Sequence, residues 1–332
     1  MCNSTKTVHR NRTGGDVMSS YSSLSAFTKC KWKRALNTYF KRIPQNTDAL
    51  VFGSAYHLSI EKGLSEGLEY LRKNNLEDKS DLLTEMVVRF MKFIGEHNIK
   101  ILEHEIKFEI TVEGCEDNVY NGYIDAIGEY NGEIYLMEFK TASSISIEHV
   151  NIDSQMTSYL WACKELEIYN PKGVLWICNR KASEKQPTLL KNGNLSTAKN
   201  QGVPYRAYKE KADEIYGDNK PQNILDFMEW LKQNESPSIA MVVTTRTDAQ
   251  IDAYGNLVRR LVPEETALLR KVRENGILSV KEECCPFPGQ LCMKSCDRKD
   301  ICKYILEQDG VLVEEDVDEL RKTLEDSVDD IE

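Results

Sequence analysis

One tight turn constrains this chain more than any other short feature. Residues 121–143 read NGYIDAIGEYNGEIYLMEFKTAS, two apolar runs on either side of Asn131-Gly132. An Asn-Gly step between apolar runs is the strongest short-range signal for a two-residue hairpin loop. With those residues as the loop, Tyr130 pairs with Glu133, and counting outwards in step sets Asp125 opposite Glu138. Directly opposed side chains have Cβ atoms about 5 Å apart, and Lys140, two residues on, shares their face. The hairpin thus places two acids and a lysine inside otherwise apolar strands.

Two carboxylates that close repel and raise each other's pKa unless positive charge lies between them. A hard divalent cation, Mg²⁺ or Mn²⁺, fits, because it takes oxygen ligands and leaves positions for water or phosphate. Lys140 could then orient or deprotonate a water, or stabilise a phosphorane-like transition state. Together these are the requirements of phosphodiester hydrolysis. The competing reading is a Lys140 ion-paired to both acids on an exposed strand face.

Around the hairpin the pattern alternates between helix and strand. Helices are expected over 19–40, 52–64, 81–97 and 147–166, and strands over 101–114 and 173–181, from apolar periodicity and N-cap signals. Residues 1–18 read as a flexible arm and 182–220 as polar and turn-rich, before helices at about 221–233 and 246–276. The expected class is α/β, a mixed central sheet flanked by helices with helical extensions. No apolar run reaches the ~20 residues of a membrane span, and the N-terminus lacks a signal-peptide layout, so the expectation is a cytoplasmic protein without a membrane partner. The net charge of −10 does not exclude a nucleic-acid ligand, because residues 307–332 alone hold twelve acids and two bases. The remaining body is neutral and can carry a basic groove.

The spacing Asp125-x12-Glu138-x-Lys140, with the wording GYID and LMEFKT, resembles the PD-(D/E)XK nuclease superfamily. FGSAYHLSIE, with His57 and Glu61, resembles the G-x-x-x-H-x-x-x-E helix of its RecB-like branch. QMTSYLWAC resembles the following helix, in which Gln155 and Tyr159 face the active site. The resemblance covers about 19–180 and the cysteine segment. It implies a restriction-endonuclease-like core over about 50–182, with His57, Asp125 and Glu138 as metal ligands and Glu61 behind them. Asp125, Glu138, Lys140, Gln155 and Tyr159 are then the catalytic set. No G-x-x-x-x-G-K-[ST] motor motif is present, so a stand-alone DNA nuclease is implied. The single-domain relatives it resembles are CRISPR-adaptation nucleases and phage recombination exonucleases, which act mainly on single strands or DNA ends, so an exonuclease in recombination, repair or phage DNA metabolism is implied. The polar stretch 180–196 looks more like the phage type, where a recombination partner protein is possible.

Five of the ten cysteines fall between Cys284 and Cys302, and in a reducing compartment that clustering points to a metal site. Cys30, in SYSSLSAFTKC, resembles the S-x-S-x-L-x-x-F-x-x-C opening of RecB-like nucleases with an iron–sulfur cluster. That likeness implies a [4Fe–4S] cluster on Cys30, Cys292, Cys296 and Cys302, joining the N- and C-terminal parts of one domain over 19–306. The gap between Cys292 and Cys296 departs from the commoner spacing by one residue, which leaves Cys284 or Cys285 open as a substitute. Four thiolates also suit zinc. Cys2, Cys115, Cys163 and Cys178 read as ordinary thiols.

DNA grip is expected from Lys31, Lys33, Arg34, Lys41, Arg42, Arg180 and Lys181, with Trp32, Tyr39 and Phe40 able to stack on bases. In the acidic tail, Val313, Val317, Leu320 and Leu324 share one helical face. That face could pack on its own domain, pair with a partner or occupy the DNA groove. Two rival readings are a catalytically silent DNA-binding protein and a zinc-stapled interaction protein.

Overall fold

The computed structural model describes residues 17–40, 47–181, 185–234, 238–284, 286, 288–308 and 311–329. Its centre is the expected hairpin, strands β3 (Cys115–Tyr130) and β4 (Glu133–Ala142). Asn131 and Gly132 have φ of 52° and 77°, the left-handed values that a type I′ turn requires at both central positions. The pairing runs in step from Tyr130–Glu133 to Ala126–Met137.

Strand β2 (Lys100–Val112) pairs antiparallel with one edge of β3. Strand β5 (Val174–Arg180) lies parallel to β4, and β6 (Ile239–Thr244) antiparallel to β5. A short β1 (Val17–Ser19) runs parallel to β3 at Asn118–Tyr120. The result is the mixed six-stranded sheet expected from the sequence, with helices on both faces.

Alternation along β4 sorts the two layers. Met137 and Phe139 face helices α3 (Asp48–Lys62), α4 (Leu64–Lys73) and α5 (Ser80–Glu96) in one apolar cluster. Leu136 joins the larger cluster beneath α1 (Tyr21–Lys29), α2 (Lys31–Tyr39), α6 (Ser154–Leu166) and α9 (Asp248–Asn275).

Several boundaries differ from expectation. The helix expected over 19–40 is two helices, because Cys30 adopts an extended backbone (φ −161°, ψ 101°) and ends α1 while capping α2. Its sulfur accepts the Lys33 N–H at 3.3 Å. The polar stretch 182–220 contains α7 (Tyr205–Tyr216), which with α8 (Gln222–Asn234) closes a third small core around Tyr208 and Phe227. Residues 1–16 of the expected arm lie outside the described residues, while Met18 pairs with Val119.

The C-terminal part continues through α10 (Lys281–Cys284), α11 (Gln290–Ser295), α12 (Lys299–Glu307) and α13 (Glu314–Asp329). In α13, Val317 is buried in the main core and Asp318 accepts the Tyr39 hydroxyl at 2.7 Å. Glu314 accepts the backbone N–H of Leu278 at 2.6 Å. The acidic segment therefore packs against its own domain. Among the described residues, no helix is long and apolar enough to cross a membrane.

Candidate active site

The free edge of β3 is divided between two partners. Residues 118–120 pair with β1 and 126–130 with β4, so among the described residues 121–125 meet no strand on that edge. Asp125 stands where the sheet opens. Its opposition to Glu138 stops one step short of the sequence expectation, since the last pair is Ala126–Met137. The Asp125 carboxylate supplies the missing bond instead, Oδ2 accepting the Phe139 N–H at 2.7 Å.

That bond leaves Oδ1 free to face His57 Nδ1, at 3.5 Å. His57 comes from α3 in one helical layer, and Gln155 and Tyr159 come from α6 in the other. The strand splay is what lets both layers reach one point. Burial pulls the His57 pKa down, but the hydrogen bond and charge of Asp125 outweigh it, and the net shift is upward.

Glu138 is 2% exposed. Its Oε1 is ion-paired with Lys140 Nζ, while Oε2 is buried and has no hydrogen-bond partner among the described residues. Burial, then the charge of Asp125, push its carboxyl up to about 7. An orphaned carboxylate oxygen in such a place is costly unless a cation or proton meets it. Burial tends to discharge Lys140, but the charge of Glu138 prevails and holds its pKa above the ordinary lysine value. Lys140 Nζ also donates to Gln155 Oε1 at 3.4 Å, and Gln155 Nε2 donates to the Tyr159 hydroxyl at 2.8 Å. A polar chain therefore runs from Tyr159 through Gln155 and Lys140 to Glu138.

All the nuclease-site residues expected from sequence converge here. One neighbour was not expected. Glu105 of β2, with His57 and Asp125, offers ligand atoms that all lie within 4.8 Å of one another. The cluster opens into a cleft of about 710 Å³ lined by Gly53, Ser54, Glu61, Tyr70 and Lys181 as well. Lys181 Nζ there donates to the Ala49 carbonyl at 3.0 Å. The donor set is one imidazole and two carboxylates, with the charge of Glu138 acting beside Asp125 and His57, and it fits a hard or borderline divalent cation.

A second cluster lies between α2 and the C-terminal helices. Burial, then the neighbouring thiols of Cys30, Cys296 and Cys292, push the Cys302 thiol up. The buried Trp32 indole N–H makes no complete hydrogen bond, yet lies close enough to Cys302 to favour its thiolate. Cys284 is at the margin, its thiol raised to about 12 by burial, Glu283 and Cys30. Cys285 and Cys2 lie outside the described residues. Around the thiols, Lys33 pairs with Asp297, and Arg298 Nε donates to Asn37 Oδ1 at 2.7 Å. The two ends of the domain are thus tied together beside the cysteines.

The expected stacking platform is absent. Trp32, Tyr39 and Phe40 are buried in the core, and Arg34 pairs with the fully buried Glu265 at 2.5 Å. Arg34 is spent on Glu265 of α9, Tyr39 on Asp318 of α13, and Trp32 and Phe40 on the main core, which leaves none of them for a base. Lys41 and Arg42 lie outside the described residues. Of the expected cationic contacts, Lys181 lines the cleft.

The sequence profile of the PD-(D/E)XK nuclease superfamily matches residues 18–303. No curated protein matches the sequence. Among solved structures, one from Eubacterium rectale, named as a candidate exonuclease, is 10% identical over 76% of this chain and 80% of its own, with a TM-score of 0.43. The structure of SSO0001 is 15% identical over 77% of this chain and 95% of its own, with a TM-score of 0.25.

Proposed function

The chain belongs to the PD-(D/E)XK nuclease superfamily, its mixed sheet forming a restriction-endonuclease-like α/β core, and on that premise we propose a divalent-metal-dependent deoxyribonuclease. The observation that carries the proposal is the buried Glu138 Oε2, without a partner and in reach of the charges of Asp125, His57 and Lys140. His57, Asp125 and Glu138 would hold Mg²⁺ or Mn²⁺. When bound, such a cation neutralises charge on the scissile phosphate and makes a coordinated water more acidic. Lys140, kept protonated by Glu138, acts as a fixed positive charge beside the reacting phosphoryl group, and a general-base role is disfavoured. Gln155 fixes the Lys140 ammonium and is itself held by Tyr159. Lys181 and the N-terminal half of α3 line the path of the sugar–phosphate backbone.

We assign the chain to the RecB-like branch, acting as an exonuclease on DNA ends or single strands in recombination, repair or phage DNA metabolism. Its nuclease domain spans 19–306, and a [4Fe–4S] cluster on Cys30, Cys292, Cys296 and Cys302 staples the two ends. What supports a shared site is that Cys302 lies beside the thiols of Cys30, Cys296 and Cys292, and tetrahedral zinc on the same thiolates is the rival reading.

Linear and circular single-stranded DNA, incubated with wild type and with Asp125→Asn in Mn²⁺, test the activity and its mode. Loss of the linear substrate alone, by wild type alone, is the expected result. Cleavage of circles would replace the exonuclease reading with an endonuclease. Equal digestion by both proteins would remove the site. Iron, sulfide and zinc contents of anaerobically purified protein decide the cluster, and stoichiometric zinc without iron would overturn it.

A further inference from the structure

Helices α7 and α8 lie between β5 and β6 in the chain and close an apolar core of their own. The sheet fixes where this insertion is attached. The Arg180 N–H at the end of β5 donates to the Ser238 carbonyl at 2.8 Å, and Lys181, the next residue, lines the cleft. In the β4–β5 register Arg180 lies opposite Ala142, two residues beyond Lys140. The chain therefore leaves the sheet and returns to it at the catalytic end. Two lysine–aromatic pairs gather at the near end of the insertion. Lys199 Nζ stands 5.2 Å from the centre of the Trp230 ring, and Lys232 Nζ 5.3 Å from that of Tyr205. Both rings are half-buried, and Phe227 stacks on Trp230 at 5.6 Å and 14°, which holds that ring in place. Helical rise along α8 and full extension beyond it put Trp230 within about 20 Å of Ser238. Residues 185–204, which run from the cleft to α7, carry Lys185, Lys191 and Lys199 and no acid.

We propose that this end of the insertion guides single-stranded DNA to the cleft, with Trp230 and Tyr205 stacking on bases and the lysines meeting phosphates. The inference rests on the nuclease reading above and gives that site its substrate class. Only an unpaired base offers a face to an aromatic ring, and stacking of that kind beside a cationic track holds single strands without regard to sequence. A cation over a half-exposed ring is held weakly. A base can therefore displace each ammonium from its ring onto the adjoining phosphate. Helix α2 has no ring to offer, since Trp32, Tyr39 and Phe40 are buried, so the insertion supplies the stacking surface instead.

The test is titration of the full chain in EDTA with oligothymidylate and with a duplex of equal length, read by tryptophan emission and by the anisotropy of a labelled strand. Trp32, Trp161 and Trp176 are buried, so Trp230 is the fluorophore that a bound base reaches. The single strand should quench the emission, and the duplex should not. Trp230→Leu, which keeps an apolar side chain against Phe227, should abolish the quenching and weaken oligothymidylate about tenfold. Lys199→Gln, a surface change that spares the small core, should weaken binding and lower the slope of log affinity against log salt by about 0.7, the share of one single-strand phosphate. Absent quenching, equal quenching by the duplex, or wild-type affinity in both variants would overturn the inference. Cleavage of labelled DNA by the wild type in Mn²⁺ tests the nuclease reading separately. Activity alongside any of those negative results leaves that reading standing, whereas quenching without activity on any DNA would sink it and leave the binding surface.

Discussion

Glu138→Gln should stabilise the metal-free protein at neutral and alkaline pH. In the wild type the carboxyl is pushed from 4.5 up to about 7 by burial and by Asp125. At ~1.4 kcal/mol per pH unit, holding it ionised costs the fold on the order of 3 kcal/mol. A raised carboxyl leaves stability intact below pH 4.5 and removes it as pH rises through about 7. The amide carries no such penalty. Losing the ion pair with Lys140 costs little in return, because that lysine is 40% exposed. Urea unfolding in EDTA between pH 5 and 8.5 should show the two proteins converging at the acid end, with the variant gaining up to ~3 kcal/mol at the alkaline end. Mn²⁺ at about 1,000 times the wild-type Kd should reverse the order, since a ligand stabilises only the protein that binds it, here by ~4.1 kcal/mol. Parallel pH curves for wild type and variant in EDTA would refute the claim that Glu138 is a buried carboxylate awaiting a cation.

Gln155→Leu should reduce the cleavage rate about tenfold or more through loss of support to Lys140, with Mn²⁺ affinity unchanged; an unaltered single-turnover rate would place Gln155 outside the machinery. Cys30→Ala should yield protein without brown colour, depleted in iron and less stable to heat, and wild-type iron content would strike Cys30 from the ligand set. Val317→Ala should cost about 2 kcal/mol in denaturant unfolding, as two buried methyl groups are lost from the main core. A change near zero would mean that α13 is only loosely attached.

The hairpin was legible because its turn chemistry is local. Asn131-Gly132 fixes the loop, and the loop fixes the register as far as Ala126–Met137. The step beyond was not legible, since it depends on Asp125 replacing a strand hydrogen bond with its own side chain. Glu105 gave no signal at all. In EHEIKFE it takes its turn among the outward polar residues of an alternating strand, and only the positive φ turns it inward. The break at Cys30 lacks the usual marks too, because neither proline nor glycine stands there and the cap is a sulfur accepting the Lys33 N–H. Helix α7 was hidden by charge, its buried face resting on Ala207, Tyr208 and Ala212 alone. Strand β6, IAMVVT, is an apolar run that could have been identified by length. The basic, aromatic α2 misled in the opposite direction. Its hydrophobic face answers to α9 and the core, and composition could not tell that demand from base stacking.

Lys140→Ala under single turnover, with Mn²⁺ and end-labelled DNA, puts the central claim to the most direct test. Removing the fixed charge beside the phosphate should slow cleavage by about 10² to 10³, leave DNA binding in place, and leave the residual rate dependent on metal. A variant that cuts as fast as the wild type, or a wild type equally active in EDTA, would contradict the account.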